Sequence, residues 1–236
     1  MQYFYLTERT PGEWGLDAAE TQHCCQVLRH GQGAVLAAVD GQGHRLQVQL
    51  GRPHKAFTPV TVLSQAPDPH EHYGTVALAF PLLKHTDRIG WLVEKATELG
   101  ATALYPLRTA RCERKAIDTD RLHRLCVAAM KQCGRSRMPT LHPVQTMAQW
   151  LAQPQALPLL RFIPHLEATA PLQAHSAAMV TQDVLFVIGP EGDFTPEEVA
   201  LAEAAAFLPV LMGNHRLRGE TAAIYALSVA KVAKGY

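Results

Sequence analysis

The sequence predicts an α/β protein with a parallel sheet, preceded by a small module rich in β-strands. From Thr75 onward, short apolar runs alternate with helical patterns, which is typical of a layered fold with parallel strands. Before that point, alternating apolar and polar residues flank a turn sequence at 40–43, which indicates a hairpin. A proline-containing polar segment at 66–72 separates the two patterns and is expected to be an extended linker. We therefore expect two domains, 1–70 and 71–236.

The first predicted domain is mostly β-structure. Its helical pattern is short, and its apolar residues otherwise alternate with period two, as in half-buried strands. The predicted helix covers 18–29, and the predicted strands cover 34–39, 44–50 and 59–64.

In the second predicted domain, apolar runs of strand length are separated by amphipathic stretches of helix length. The predicted strands are 75–80, 102–107, 157–162, 183–188 and 207–212. The predicted helices are 86–99, 119–133, 146–152, 172–179 and 220–234.

The stretch 183–222 contains the most specific local pattern. A buried strand ends in Gly-Pro-Glu-Gly at 189–192, where glycines allow a tight turn and a close approach to a ligand. Thr195 and Glu198 form the pattern of a capping box, with proline at the first helical position. A second apolar run breaks at Gly213. Two strand-turn-helix units in succession predict a ligand at the carboxyl ends of parallel strands.

Composition and known fingerprints exclude several classes. The chain has no GxGxxG, GxxxxGK or GxSxG pattern, and its net charge of +1 does not by itself indicate nucleic acid. It has five cysteines without a CxxC spacing, so we expect reduced thiols and no metal site. No apolar run reaches the ~20 residues of a membrane span, so we expect a cytoplasmic protein with no membrane partner.

Several motifs together resemble one enzyme family. Gly-Pro-Glu-Gly at 189–192, the segment 212–222 ending in Arg-Gly-Glu-Thr-Ala, and Lys-Ala-Thr-Glu-Leu-Gly at 95–100 are similar to the bacterial SPOUT-superfamily methyltransferases of uracil N3 in 16S ribosomal RNA. Gln-Cys-Gly-Arg at 132–135 is similar to the QSxR pattern of that family, with Cys133 in place of serine. The resemblance implies a C-terminal trefoil knot and a PUA-like N-terminal β-barrel. It also implies homodimerisation, S-adenosylmethionine as cofactor, and 16S ribosomal RNA or the small ribosomal subunit as substrate.

The resemblance also suggests which residues hold the cofactor. Backbone groups of the turn and of the loop after the next strand can present N–H and C=O groups to an adenosyl group, and apolar residues can form its walls. From their position alone, after the predicted strand ending at 162, Pro164 and His165 are expected to form a third wall. The candidates are Ile188, Gly189, Pro190, Glu191, Gly192, Leu211, Met212, Gly213 and Leu217.

Three residues are candidates for the chemistry, and a fourth is an alternative to one of them. Uracil N3 must lose a proton, and the resulting charge spreads onto O2 and O4, so a nearby cation would assist. Arg218 is the first candidate for that cation and Arg135 the alternative. Glu191 or Glu220 could orient the base or accept the proton. The competing interpretations are a carboxylate that stabilises the turn for Glu191 and helix-terminal stabilisation for Glu220.

A basic segment is the main candidate for RNA contact. Nine Lys or Arg residues lie between 108 and 137, against three acidic ones. Such a patch attracts polyanions through counterion release, although a charge run is also typical of a solvated face. The RNA-binding candidates are Arg29, Arg45, Arg111, Arg124, Arg135 and Arg137. Two alternatives stay open: another SPOUT RNA methyltransferase, acting on ribose 2′-O or tRNA guanine, and a non-catalytic RNA-binding protein.

Overall fold

The computed structural model describes residues 2–71, 74–153 and 160–235, which divide into two compact units. The first unit contains the chain up to residue 71 together with Val127–Met138, and the second contains 74–126 and the chain from Pro139 onward. The division therefore falls inside the helix Thr119–Cys133.

A mostly antiparallel sheet forms the first unit. The elements are β1 (Phe4–Tyr5), β2 (Thr7–Thr10), β3 (Glu13–Asp17), α1 (Ala18–Thr21), β4 (Val35–Val39), β5 (His44–Leu50) and β6 (Phe57–Pro67). The strand order in the sheet is β1-β4-β5-β6-β3-β2. The predicted hairpin is confirmed, since Val35 pairs with Gln49 and Val39 with Arg45 in antiparallel register. The predicted helix 18–29 appears as α1 followed by a π-helical turn, Gln22–Val27.

The core of the first unit is built from alternate strand residues. Leu46, Val48 and Leu50 are buried on β5, and the glutamines between them are exposed. This period of two places one face of the strand against the core, where Phe4 and Leu16 also lie.

The expected linker is instead part of the first unit. Ala66 and Pro67 belong to β6, and buried Asp68 accepts hydrogen bonds from Arg45 Nε at 2.8 Å and Ser136 Oγ at 2.9 Å. Glu71 accepts bonds from Arg135 Nη2 at 3.0 Å and from the backbone N–H of Ser136 at 3.0 Å. The extended-linker prediction was wrong for 66–71, because these two carboxylates bind the segment 134–137.

The second unit is built on a parallel sheet. The strands are β7 (Val76–Pro81), β8 (Ala103–Arg108), β9 (Thr140–Leu141), β10 (Gln145–Thr146), β11 (Leu160–Pro164), β12 (Val184–Val187) and β13 (Leu208–Val210). Their order is β10-β8-β7-β12-β11-β13, with β9 paired to β8. Every residue of β7 and β12 is buried, which explains why both strands are continuously apolar. The helices are α2 (Thr86–Glu98), α3 (Thr119–Cys133), α4 (Met147–Leu151), α5 (Ser176–Met179), α6 (Pro196–Ala204) and α7 (Gly219–Ala233).

The α/β fold with a parallel sheet is therefore confirmed, with small differences at the ends of elements. The predicted strand 157–162 is observed as β11, and its first three predicted residues lie outside the described residues. The poorer helical pattern at 172–179 forms a 3₁₀ turn, Leu172–His175, followed by α5. Among the described helices, none has the length and apolar character that a membrane crossing requires.

Asp68 gives a prediction about pH-dependent stability. Burial alone would raise the pKa of this carboxyl, but hydrogen bonds from Arg45, the His70 N–H and Ser136 outweigh burial and lower the pKa below its usual value. The stabilising contribution of ionised Asp68 is therefore present above the ordinary carboxyl pKa and is lost as the pH falls through the lowered folded value. We expect Asp68→Asn to lower the free energy of unfolding by about 2 kcal/mol at neutral pH.

Urea unfolding at neutral pH and near pH 3 tests this prediction, because the difference between Asp68→Asn and the natural protein should narrow in acid. Glu113→Gln is the control, since it removes an exposed ion pair with Lys84 and should have little effect. An equal loss of stability at both pH values would contradict the account.

Candidate functional site

The loops of the predicted site leave from one edge of the parallel sheet. Val187 pairs with Ala79, and Pro164 pairs with Val210, so β7, β12, β11 and β13 end side by side. Because β11 lies between β12 and β13, the turn after β12 and the loop after β13 begin about 10 Å apart. Parallel sheets bind ligands at this carboxyl edge.

The turn after β12 has a constrained backbone. The Ile188 N–H donates to the Ala79 carbonyl at 2.9 Å, which keeps the strand pairing up to the turn. Gly192 has a φ of +98° and Asp193 has a φ of +69°, both in the left-handed region. Pro190 is buried, whereas Glu191 is exposed. The turn therefore has a fixed shape and presents the Glu191 side chain outward.

The segment after β8 supports this turn. Arg111, predicted to bind RNA, donates from Nη1 to the carbonyls of Gly192 and Asp193. Glu198 is buried; it accepts a bond from the Ala110 N–H at 2.7 Å and completes the predicted capping box of α6. Arg111 thus has a role in the shape of the turn, and its RNA contact stays a prediction.

The start of α7 lies directly against the turn. A Cβ built on Gly219 would be 3.3 Å from the Gly189 carbonyl oxygen and 3.1 Å from Leu83 Cδ2. A side chain at position 219 would therefore crowd both neighbours. Two of the sequence motifs, the turn at 189–192 and the segment 212–222, are brought into contact here.

Arg88 connects two of the predicted catalytic carboxylates. This side chain of α2 lies 3.8 Å from Glu191 and 3.6 Å from Glu220, measured from guanidinium nitrogen to carboxylate oxygen. Glu220 is buried, and its Oε2 has no hydrogen-bond partner among the residues that the structure describes. No sequence motif pointed to Arg88. Arg88 lies in the first turn of α2, the helix that follows β7, and this position near the carboxyl end of a parallel strand could have indicated it.

The loop after β13 contributes the remaining cofactor candidates. Leu211 is fixed by backbone bonds, donating to Ala170 O at 2.8 Å and accepting from the Leu172 N–H at 3.0 Å. Met212 is half-buried, whereas Gly213 and Leu217 are exposed. Arg218, the predicted catalytic cation, is exposed immediately before α7. The loop is therefore held by backbone hydrogen bonds at its start and is exposed at its end.

The RNA-binding candidates differ in whether their guanidinium groups are paired with carboxylates or exposed to solvent. In the first unit, Arg45 pairs with Asp68 at 2.8 Å and Arg135 pairs with Glu71 at 3.0 Å, while Arg29 and Arg137 are exposed. In the second unit, Arg124 is exposed on α3. For all six candidates, including Arg111, RNA contact stays a prediction. Arg29, Arg124 and Arg137 are exposed, so their positive charges are the most accessible to phosphate.

Within 2–71, 74–153 and 160–235, no group of three His, Cys, Asp or Glu side chains is arranged to hold a metal ion.

Comparison with known proteins assigns the chain to a family. Residues 70–231 match the family model described as an RNA methyltransferase domain. The chain belongs to this RNA methyltransferase family. That match begins close to residue 74, where the described part of the second unit starts, and extends into α7.

Individual relatives agree with the assignment. The chain is 29% identical over 159 residues to the ribosomal RNA small subunit methyltransferase E of Rickettsia conorii, covering 67% of this chain and 64% of that protein. A Legionella pneumophila protein whose structure was solved with the bound cofactor SAM is similar, with a TM-score of 0.83 and 30% identity, covering 99% of this chain and 98% of that one. The ribosomal RNA small subunit methyltransferase E of Neisseria gonorrhoeae, bound to S-adenosyl methionine, has a TM-score of 0.83 and 25% identity, covering 98% and 97%.

The contact between Gly219 and the turn can be tested by substitution. Alanine within a helix normally stabilises relative to glycine by up to about 1 kcal/mol, but here the added methyl meets a backbone carbonyl and a buried leucine. We expect Gly219→Ala to lower the free energy of unfolding by about 1 kcal/mol or more.

Urea unfolding measures this change. Gly31→Ala is the control, because a Cβ at Gly31 meets nothing within 4 Å. A Gly219→Ala protein that is as stable as the natural one would show that the helix start does not need this close approach.

Proposed function

We propose that this protein transfers a methyl group from S-adenosylmethionine to N3 of a specific uracil in 16S ribosomal RNA. The observation that carries the proposal is the contact between the Gly189 turn and the start of α7, with a buried carboxylate beside it, at the edge of a parallel sheet. Membership of the RNA methyltransferase family supports the reaction class. The names of the relatives and the cofactor bound to two structural neighbours support the substrate and the cofactor.

The residues present fit an adenosyl ligand. The turn 189–192 and the loop 211–217 offer backbone groups, and Ile188, Leu211 and Met212 offer apolar surface. The unpartnered Oε2 of Glu220 provides an acceptor for a donor on a ligand, such as a hydroxyl or an N–H group. When bound, S-adenosylmethionine supplies an electrophilic methyl group on a sulfonium.

The side chains of the site have separate tasks in the proposed reaction. Glu220 or Glu191 receives the N3 proton or orients the uracil, while Arg218 offsets the negative charge that develops on O2 and O4. Arg88 positions both carboxylates through its contacts at 3.6 and 3.8 Å.

The finer structural features that the resemblance implies are also part of the proposal. We propose that residues 1–70 form a PUA-like RNA-binding domain and that 71–236 form a SPOUT methyltransferase domain with a C-terminal trefoil knot. We further propose a homodimer that acts in the cytoplasm, on free 16S ribosomal RNA or on the small ribosomal subunit. The exposed Arg29 and Arg137 of the first unit are proposed phosphate contacts.

The reaction is tested by incubating the protein with S-adenosylmethionine and 16S ribosomal RNA or small subunits from a strain that lacks the modification. We expect one 3-methyluridine per RNA, identified by mass spectrometry of the nucleosides. A product methylated on ribose 2′-O, or activity on tRNA guanine alone, would assign the protein to another reaction of the same superfamily. RNA binding without any methyl transfer would indicate a non-catalytic RNA-binding protein.

The role of Arg218 is tested by Arg218→Ala, with Arg216→Ala as the matched control. Both arginines are exposed in the same loop, so either substitution removes one positive charge from the same surface. We expect Arg218→Ala to lower kcat by about 10²- to 10³-fold, because charge stabilisation in the transition state is lost. Arg216→Ala should leave kcat nearly unchanged, and both variants should bind RNA similarly.

Equal kcat values for the two variants would remove Arg218 from the mechanism. A loss of RNA affinity specific to Arg218→Ala would reassign this residue to substrate binding.

A further inference from the structure

His165 presents a buried polar atom that the proposed chemistry does not use. Its Nε2 is buried and has no hydrogen-bond partner within the described part of the chain. Buried polar side-chain atoms are nearly always paired, so an unpaired one requires a physical explanation. A bound molecule that completes the missing bond is one such explanation.

The hydrogen bond at the other ring nitrogen shows that Nε2 is a donor. The backbone N–H of Glu167 donates to His165 Nδ1 at 3.3 Å, so Nδ1 must carry a lone pair. A neutral imidazole with an acceptor at Nδ1 carries its hydrogen on Nε2. The unpaired group is therefore an N–H that needs an acceptor.

The position of His165 indicates which ligand can supply that acceptor. His165 directly follows β11, and its backbone N–H donates to the Val210 carbonyl at 3.2 Å. β11 lies between β12 and β13, which lead into the turn 189–192 and the loop 211–217. The histidine thus stands between the two backbone segments proposed to hold the adenosyl group.

We propose that the Nε2–H of His165 donates a hydrogen bond to a neutral acceptor on the bound nucleoside cofactor, either a ribose oxygen or an adenine ring nitrogen. This proposal rests on the proposed function, because it assumes an adenosyl ligand at this edge of the sheet. His165 then contributes to cofactor affinity and orientation and takes no part in moving the methyl group.

The hydrogen bond at Nδ1 of His165 also explains why the proposed acceptor on the nucleoside is neutral. If the imidazole were protonated, both nitrogens would be donors and the Glu167 N–H would lose its acceptor. A neutral donor suits a neutral oxygen or nitrogen on a nucleoside.

Two substitutions separate the two nitrogens of the ring. His165→Asn can keep an acceptor near the position of Nδ1 but has no distal donor, whereas His165→Gln can place an amide N–H near the position of Nε2. Calorimetric titration with S-adenosylhomocysteine measures affinity without turnover. We expect a dissociation constant about tenfold higher for His165→Asn and close to the natural value for His165→Gln.

A second measurement uses the natural chain and needs no variant. Analogues of S-adenosylhomocysteine that lack one acceptor each, namely the 2′-deoxy, 3′-deoxy, 1-deaza, 3-deaza and 7-deaza forms, are titrated in turn. We expect one analogue to bind the natural chain about tenfold more weakly than S-adenosylhomocysteine does. Because that analogue lacks the acceptor for His165, it should bind the natural chain and His165→Asn with the same affinity.

The outcomes distinguish this proposal from the proposed function. Tight binding of S-adenosylhomocysteine by both the natural chain and His165→Asn, with no analogue weakened, overturns the role of His165 and leaves the methyltransferase intact. Loss of RNA affinity in His165→Asn with unchanged cofactor affinity also overturns it, in favour of an RNA contact. Failure of the natural chain to bind S-adenosylhomocysteine and S-adenosylmethionine overturns both proposals.

Discussion

The close approach of the Gly189 carbonyl to the first residue of α7 is the constraint on which the candidate site depends. Since a Cβ on Gly219 would lie only 3.3 Å from that oxygen, a side chain at residue 219 would force the turn and the helix start apart by a few tenths of an ångström. Glu220 directly follows this contact in the chain and lies 3.6 Å from Arg88, which also lies 3.8 Å from Glu191. One guanidinium of α2 therefore contacts a carboxylate of the turn and a carboxylate in the first turn of α7. Two further hydrogen bonds hold the turn in place: Arg111 donates to the Gly192 carbonyl, and the Ala110 N–H donates to Glu198.

A second pair of carboxylates organises the first unit in a comparable way. Asp68 and Glu71 together accept hydrogen bonds from two arginine side chains, one serine hydroxyl and backbone N–H groups of the segment 134–137. These bonds fix the segment, and they also neutralise much of the charge of Arg45 and Arg135. The positive charge available to RNA is consequently smaller than a count along the sequence suggests. Exposed residues such as Arg29 and Arg137 carry the charge that can still attract phosphate.

Local patterns in the sequence predicted those features that depend on neighbouring residues. The capping box at Thr195 and Glu198 and the extent of α3 are as predicted, because caps and helical periodicity are determined within a few residues. The buried strands β7 and β12 were also predicted, because each is a continuous apolar run of strand length. Strands β1 to β3 were missed for separate reasons. β1 has only two residues, β2 is largely exposed, and β3 buries two consecutive residues, Gly15 and Leu16, so none of the three shows apolar alternation.

The parts that could not be predicted depend on contacts between residues far apart in the chain. Arg88 and Glu220 are separated by more than half of the sequence, and no spacing rule links them. The same holds for Asp68 and Ser136, whose bond turned an expected linker into part of the first unit. Whether His165 has a partner also depends on atoms from other elements, so its unpaired N–H became visible only in three dimensions.

A crystal structure of the protein with bound S-adenosylhomocysteine tests the central claim most directly, namely that the turn at 189–192 and the loop at 211–217 together hold an adenosyl group. We expect the adenosine at the carboxyl edge of the parallel sheet, in contact with both segments. A ligand that lies elsewhere, or that touches neither segment, would contradict the account.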